Sequence, residues 1–195
     1  MKIRPAEERD LDAMVEVMLA EPSVEQVAFM PSLAGARRFA RALWSNAGPE
    51  DFIVADDDGE VVGFAWCSQT SVGLREGARA AVAGWGLLGP IRLVIKGWPR
   101  QFVEIPMPPG LKLIELQVDP SRRGSGIGSM LLEHVIAAAD DGSLSLTTRS
   151  DNPAQRLYER HGFAIAAHKS HRFFQRRTGA DGRILMVRPA SSTSS

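Results

Sequence analysis

The chain has 195 residues, 44% of them hydrophobic and 24% charged, an ordinary balance for a globular fold with a sizeable core. Lys+Arg and Asp+Glu are both 23, so it lacks the basic excess that a general nucleic-acid binder carries. A single cysteine, Cys67, excludes an internal disulfide, no Cys/His grouping has zinc spacing, and no apolar run reaches membrane-spanning length.

KIRP (2–5) reads as a short strand. The stretch MKIRPAEERDLDAM places acids where a signal peptide needs an apolar core, so a cytoplasmic location is expected. A helix is expected from Asp10, with Leu11, Met14, Val15 and Met18 at helical spacing, and Pro22 ends it. A second helix covers 33–44, with Ala36, Phe39, Ala40 and Leu43 on its apolar face and Arg37, Arg38 and Arg41 on the wet one. FIVA and VVGFAWCSQ flank the turn ADDDGE as a hairpin. Residues 71–109 then turn irregular and apolar, broken by several glycines and prolines. LKLIELQV (111–118) alternates as a strand. A glycine-dense loop follows, then a helix over 128–139, the strand SLSLTTR (143–149), and a helix in DNPAQRLYERHGF that stops at Gly162. Two last strands, 164–174 and 183–188, lie either side of the turn RTGADG, and SSTSS (191–195) reads as a disordered tail.

The order β-α-α-β-β-(insert)-β-α-β-α-β-β implies a mixed α/β sheet in one domain over 1–190, with the segment 71–109 inserted in it. Strand-to-helix junctions are where such sheets bind ligands. RRGSGIGSMLLEH (122–134) occupies one of them, setting three glycines and two arginines directly before a helix. Glycine clusters let backbone approach a ligand closely, and a helix N-terminus offers unpaired N–H groups and partial positive charge, so the expected ligand is an anion. A P-loop does not fit, because Gly128 is followed by Ser129 and Met130 rather than by lysine and a hydroxyl. A dinucleotide loop fits poorly too: Ser129 stands in the third glycine's place, and the region about 20 residues on reads LTTRS, with no acid for a ribose.

R-x-x-G-x-G, preceded by L-x-V-x-P at Leu116, Val118 and Pro120, closely resembles the GNAT N-acetyltransferase superfamily. N-x-x-x-x-L-Y-E-x-x-G-F, from Asn152 to Phe163, resembles that superfamily's next block in the expected order. Together the two span about a quarter of the chain. The resemblance implies a GNAT-like fold and acetyl-coenzyme A as cosubstrate, its pyrophosphate cradled by Arg123, Gly124, Ser125, Gly126, Ile127, Gly128 and Ser129. It implies that backbone N–H groups of Leu116, Gln117 and Val118 hold the thioester carbonyl, and that Asn152 lies near the pantetheine arm. Asn152 followed by Pro153 is also a good helix N-cap. Tyr158, the only tyrosine, is implied as the acid that protonates the departing thiolate; a core aromatic is the alternative.

Glu115 is the candidate base for an incoming ammonium, with a solvent-facing strand carboxylate as the other reading. Alternation sets it opposite Leu116 and Val118 unless a bulge intervenes. Cys67, His134 and His161 read as packing or surface residues. The expected reaction is direct acetyl transfer to a primary amine of a small molecule or peptide, with no metal; the rival is a catalytically silent coenzyme A-binding sensor or partner-binding module. The inserted segment is read as a lid or wall over the acceptor site, because so many apolar groups must cover something. A homodimer interface or a membrane-surface contact is its rival.

Overall fold

Strands β1 (Lys2–Pro5), β2 (Phe52–Asp57), β3 (Glu60–Ser68), β4 (Leu111–Val118), β5 (Leu144–Arg149), β6 (Ala164–Ser170) and β7 (Gly182–Arg188) form one sheet, in the order β1-β2-β3-β4-β5-β7-β6. The computed structural model describes residues 1–70, 73–139 and 142–190, so the expected tail at 191–195, and Ser71 and Val72 of the insert, lie outside the described residues. Every strand pair is antiparallel except β4 with β5, the expected mixed α/β sheet. The β2–β3 hairpin turns through Asp58 and Gly59, both at positive φ (54° and 93°).

Helices α1 (Leu11–Ala20) and α3 (Leu33–Ala47) cover one face of the sheet. Their apolar stripes, Leu11, Met14, Val15 and Met18 and then Ala40 and Trp44, pack on Phe52, Val54, Phe64 and Trp66. Helices α6 (Ile127–Ala138) and α7 (Gln155–Arg160) cover the other, where Leu131, Leu132, Val135 and Tyr158 meet Ala55, Ala65, Leu113, Leu144 and Leu146. Full burial of side chains such as Phe64 or Leu132 stabilises by about 1.5–3 kcal/mol each.

Four elements differ from expectation. Helix α2 (Val24–Phe29) follows α1; its start is fixed by Ser23 Oγ accepting the Gln26 N–H and Gln26 Oε1 accepting the Ser23 N–H (3.2 and 2.7 Å). The insert is not irregular: it forms α4 (Leu74–Trp85), α5 (Gly89–Gly97) and a 3-10 stretch, Trp98–Val103. The strand expected over 164–174 ends at Ser170, because residues 172–178 form helix α8 (Arg172–Thr178), whose C-terminus Gly179 closes at φ 84°. Helix α7 begins at Gln155 rather than beside Pro153, so Asn152 caps a turn that leads into it.

The insert is docked on α3 through small residues. A Cβ on Gly35 would fall 2.6 Å from the Gly84 carbonyl oxygen, and one on Gly84 2.9 Å from that of Gly35. Trp85 Nε1 donates to the Ser32 carbonyl at 3.1 Å, and Arg38 donates to the carbonyls of Ala83 and Gly84. The Val103 end joins a separate buried cluster with Phe29, Phe174 and Ala180, tying the insert to α2 and α8.

Candidate active site

Strand β4 leaves its parallel neighbour early. Leu111 pairs with Leu144 and Lys112 with Ser145, while on the other side β4 stays paired with β3 as far as Val118 against Gly63. Between Glu115 opposite Trp66 and Leu113 opposite Cys67, Ile114 is an extra residue. Such a bulge bends and twists the strand, which accounts for the divergence. The stretch 113–118 therefore presents an unpaired backbone edge to a cleft between β4 and β5. Leu116 and Val118 turn their N–H groups to it, whereas Gln117, like Asp119, whose N–H bonds the Val62 carbonyl at 2.9 Å, turns its own to β3.

At the cleft's end the glycine loop reaches α6. Gly124 and Gly126 stand at φ 80° and 89°, and a Cβ on either would have no heavy atom within 4 Å. The glycines thus serve backbone conformation and leave open space beside them. The first α6 bond runs from the Met130 N–H to the Gly126 carbonyl, so the N–H groups of Ile127, Gly128 and Ser129 have no intrahelical acceptor. Gly128 lies against Leu157 and Val118, joining the helix to both walls. This nest of free donors at a helix N-terminus suits a phosphate-bearing ligand.

The flanking arginines are engaged. Arg123 pairs with Glu21 at the end of α1, and Arg122 with Asp57 (3.4 Å) and Glu60 (3.8 Å). Ser125 Oγ donates to the Arg122 carbonyl at 2.5 Å and stiffens the loop. Asn152 spends both ends of its amide locally, Oδ1 accepting the Ala154 N–H (2.9 Å) and Nδ2 donating to Thr148 Oγ1 (2.6 Å). Asn152→Ala should therefore lower stability by about 1 kcal/mol in chemical denaturation.

Glu115 points to the face opposite Leu116 and Val118, as strand alternation requires, with Gln117 beside it donating Nε2–H to Glu115 Oε1 at 2.7 Å. Glu115 keeps an edge open to the cleft and is otherwise enclosed by protein, and that desolvation raises its carboxyl pKa. Tyr158 is a buried residue of α7. Its ring packs with Leu132, Leu144 and Phe163, while burial, and secondarily the Glu115 charge, push its phenol pKa up. The two expected site side chains are thus electrostatic neighbours: a carboxylate made more basic, and a phenol that stays protonated across the neutral range.

Charged residues that sequence reasoning did not single out lie beside Glu115. Arg183 on β7 is buried, ion-paired through Nη1 to Glu25 of α2, and donates from Nη2 to Thr147 Oγ1 (2.9 Å) and the Thr147 carbonyl (3.0 Å). Arg100 Nε lies 3.6 Å from Glu25 and 3.7 Å from Glu104. The S-x-x-Q signature at Ser23 and Gln26 would have revealed the helix that carries Glu25; nothing local marks Arg183. Cys67 is half-buried and burial pushes its thiol up to about 12, which makes it a poor nucleophile. His161 donates its Nδ1–H to the Leu157 carbonyl (2.8 Å) and His134 is exposed, so neither is placed for catalysis.

The model of the acetyltransferase (GNAT) family matches residues 19–163. Among solved structures the chain is similar to one described as histone acetyltransferase HPA2 and related acetyltransferase from Corynebacterium glutamicum, at 24% identity and TM-score 0.69, covering 100% of this chain and 98% of that one. The ribosomal-protein-S18-alanine N-acetyltransferase of Escherichia coli is similar at 22% identity and TM-score 0.59, over 99% and 96%. The PaiA N-acetyltransferase of Thermoplasma acidophilum, solved in complex with coenzyme A, is similar at 14% identity and TM-score 0.57, over 96% and 98%. These likenesses show a shared fold. A comparison with curated protein sequences finds no match.

Proposed function

Since the chain belongs to the acetyltransferase (GNAT) family, we propose that it moves an acetyl group from acetyl-coenzyme A to a primary amine, by direct attack in a ternary complex. The observation that carries this reading is the parting of β4 from β5 after Lys112, directly ahead of the glycine nest. It leaves an edge of backbone donors in line with an anion site, with Glu115 and Tyr158 beside them.

Acetyl-coenzyme A supplies the activated acyl group. The N–H groups of Gly124 to Ser129 hold its phosphates, and those of Leu116 and Val118 on the open edge offer donors to the thioester oxygen, where negative charge develops on attack. Glu115 takes a proton from the amine, directly or through water, and Gln117 holds the carboxylate in place. Tyr158 returns a proton to the departing sulfur. The closed apolar cluster of Phe29, Val103 and Phe174 walls the acceptor side and, with Arg100 and Glu25, limits the amine's approach. We retain both a small amine and a peptide amine as acceptors; the likeness to the S18-alanine enzyme supports the second. The cytoplasm remains the compartment we favour.

Gly126→Val tests the nest. A β-branched residue at φ 89° is strained and forces the loop to rearrange, so the calorimetric Kd for acetyl-coenzyme A should rise about tenfold or more, roughly 1.4 kcal/mol. Unchanged affinity in a folded variant would remove the nest from the account. Initial rates with both substrates varied should give intersecting lines; parallel lines would instead require an acetyl-enzyme.

A further inference from the structure

The insert leaves uncovered the side chains that sequence reasoning expected to cover something. Ile91, Val94 and Ile95 on α5, and Trp98 directly after it, occupy i, i+3, i+4 and i+7, one continuous stripe, yet they are 57%, 62%, 64% and 44% exposed. A surface helix ordinarily turns this stripe to the core. Here the opposite rotation is locked in: a Cβ on Gly89 would fall 2.0 Å from the Ala81 carbonyl oxygen, and Lys96 Nζ donates to the Met30 carbonyl at 3.0 Å. The outward stripe is therefore built into the fold.

The stripe runs into an aromatic surface cluster. The ring of Trp98 lies 5.1 Å from that of Phe102 and 6.0 Å from that of Phe173. The rim is cationic. Arg92, next to Ile91 in the chain, and Arg172 and Arg176 of α8 are exposed, and Arg172 sits over the Phe173 ring at 5.3 Å. Across residues 74–104, five basic side chains face two acidic ones.

We propose that this face docks on an anionic lipid bilayer surface, α5 lying in the plane of the interface with its aliphatic stripe among the acyl chains and the arginines at the phosphates. Aliphatic ridge, aromatic flank and basic rim are the three elements that such binding needs. A second copy is a poorer occupant, because a two-fold contact sets the patch against itself and brings the basic rims together. No single described helix is long and apolar enough to cross a membrane, and α4 and the run from Gly89 to Val103 bend by 104° while α4 is held on α3. The proposal does not depend on the acetyl-transfer reading.

Co-sedimentation of the full chain with phosphatidylcholine vesicles, with and without phosphatidylglycerol, tests it. The expected result is at least about tenfold stronger partition onto the anionic vesicles, weakening as salt screens the rim. Ile95→Asp should abolish this and Arg172→Glu should weaken it, each with an unchanged melting curve and unchanged acetyl-coenzyme A affinity. Absence of binding, equal binding to neutral vesicles, or binding that survives Ile95→Asp would overturn the proposal. So would a concentration-dependent dimer that Ile95→Asp dissociates without any vesicle binding by the parent chain.

Discussion

Replacing Tyr158 with phenylalanine is expected to lower kcat by about 10²-fold or more, the usual worth of a general acid, while moving the acetyl-coenzyme A Kd by less than about threefold. The separation follows from where the two ends of the side chain sit. The ring belongs to the cluster of Leu132, Leu144 and Phe163, which phenylalanine fills equally well. The hydroxyl is the only part lost. Because burial and the neighbouring Glu115 charge raise the phenol pKa, the parent enzyme's alkaline limb from this group should lie above the ordinary tyrosine range. A kcat loss below about threefold would assign Tyr158 to packing and leave the proton to water.

Glu115→Gln should have an effect of the same order on kcat and a distinct signature in pH. The parent rate should fall in acid as the Glu115 carboxyl protonates, with its midpoint above the ordinary carboxylate range because burial raises that pKa. The variant should lose this limb, and its remaining pH dependence should follow the acceptor amine alone. Stability moves the other way. A carboxyl whose native pKa is raised holds its proton more tightly folded than unfolded, so its stabilising contribution is complete below the ordinary range and lost as pH rises through the native value. Glu115→Gln should therefore melt higher than the parent at neutral pH, and the gap should close in acid. A variant less stable at pH 7, with an unaltered acid limb, would make Glu115 a structural carboxylate.

The readable parts of this chain were those where one local signal decides the outcome. Strand β4 was placed to the residue by its alternation, and the loop at 123–129 by its glycines, two of which do sit at positive φ. Glu115 lies opposite Leu116 and Val118 because alternation holds from 115 to 118; across the bulge at Ile114 it breaks, Leu113 and Leu116 sharing one cluster, and no local pattern announced the bulge or the parting of strands it produces. The insert misled for a physical reason. Its apolar spacing was helical, but Pro90, Pro99 and six glycines from 73 to 97 suggested irregular chain. Two of those glycines serve instead as contact points between helices, Gly84 against α3 and Gly89 against α4. Helix α8 was hidden in the same way, since HRFFQRR reads as an aromatic strand until Phe174 finds its partners Phe29 and Val103 from distant segments. The Glu25–Arg183 pair joins positions 158 residues apart, and only the fold could bring it to the cleft.

The most direct measurement is coenzyme A thiol release from acetyl-coenzyme A across a panel of small and peptide amines, with the acetylated product quantified by mass spectrometry. Acetyl transfer predicts at least one amine that accelerates thiol release, with one acetyl amide formed per thiol, and loss of both in Tyr158→Phe and Glu115→Gln. Tight acetyl-coenzyme A binding with no amide from any amine, and thiol release no faster than hydrolysis, would contradict it and leave a silent binding module.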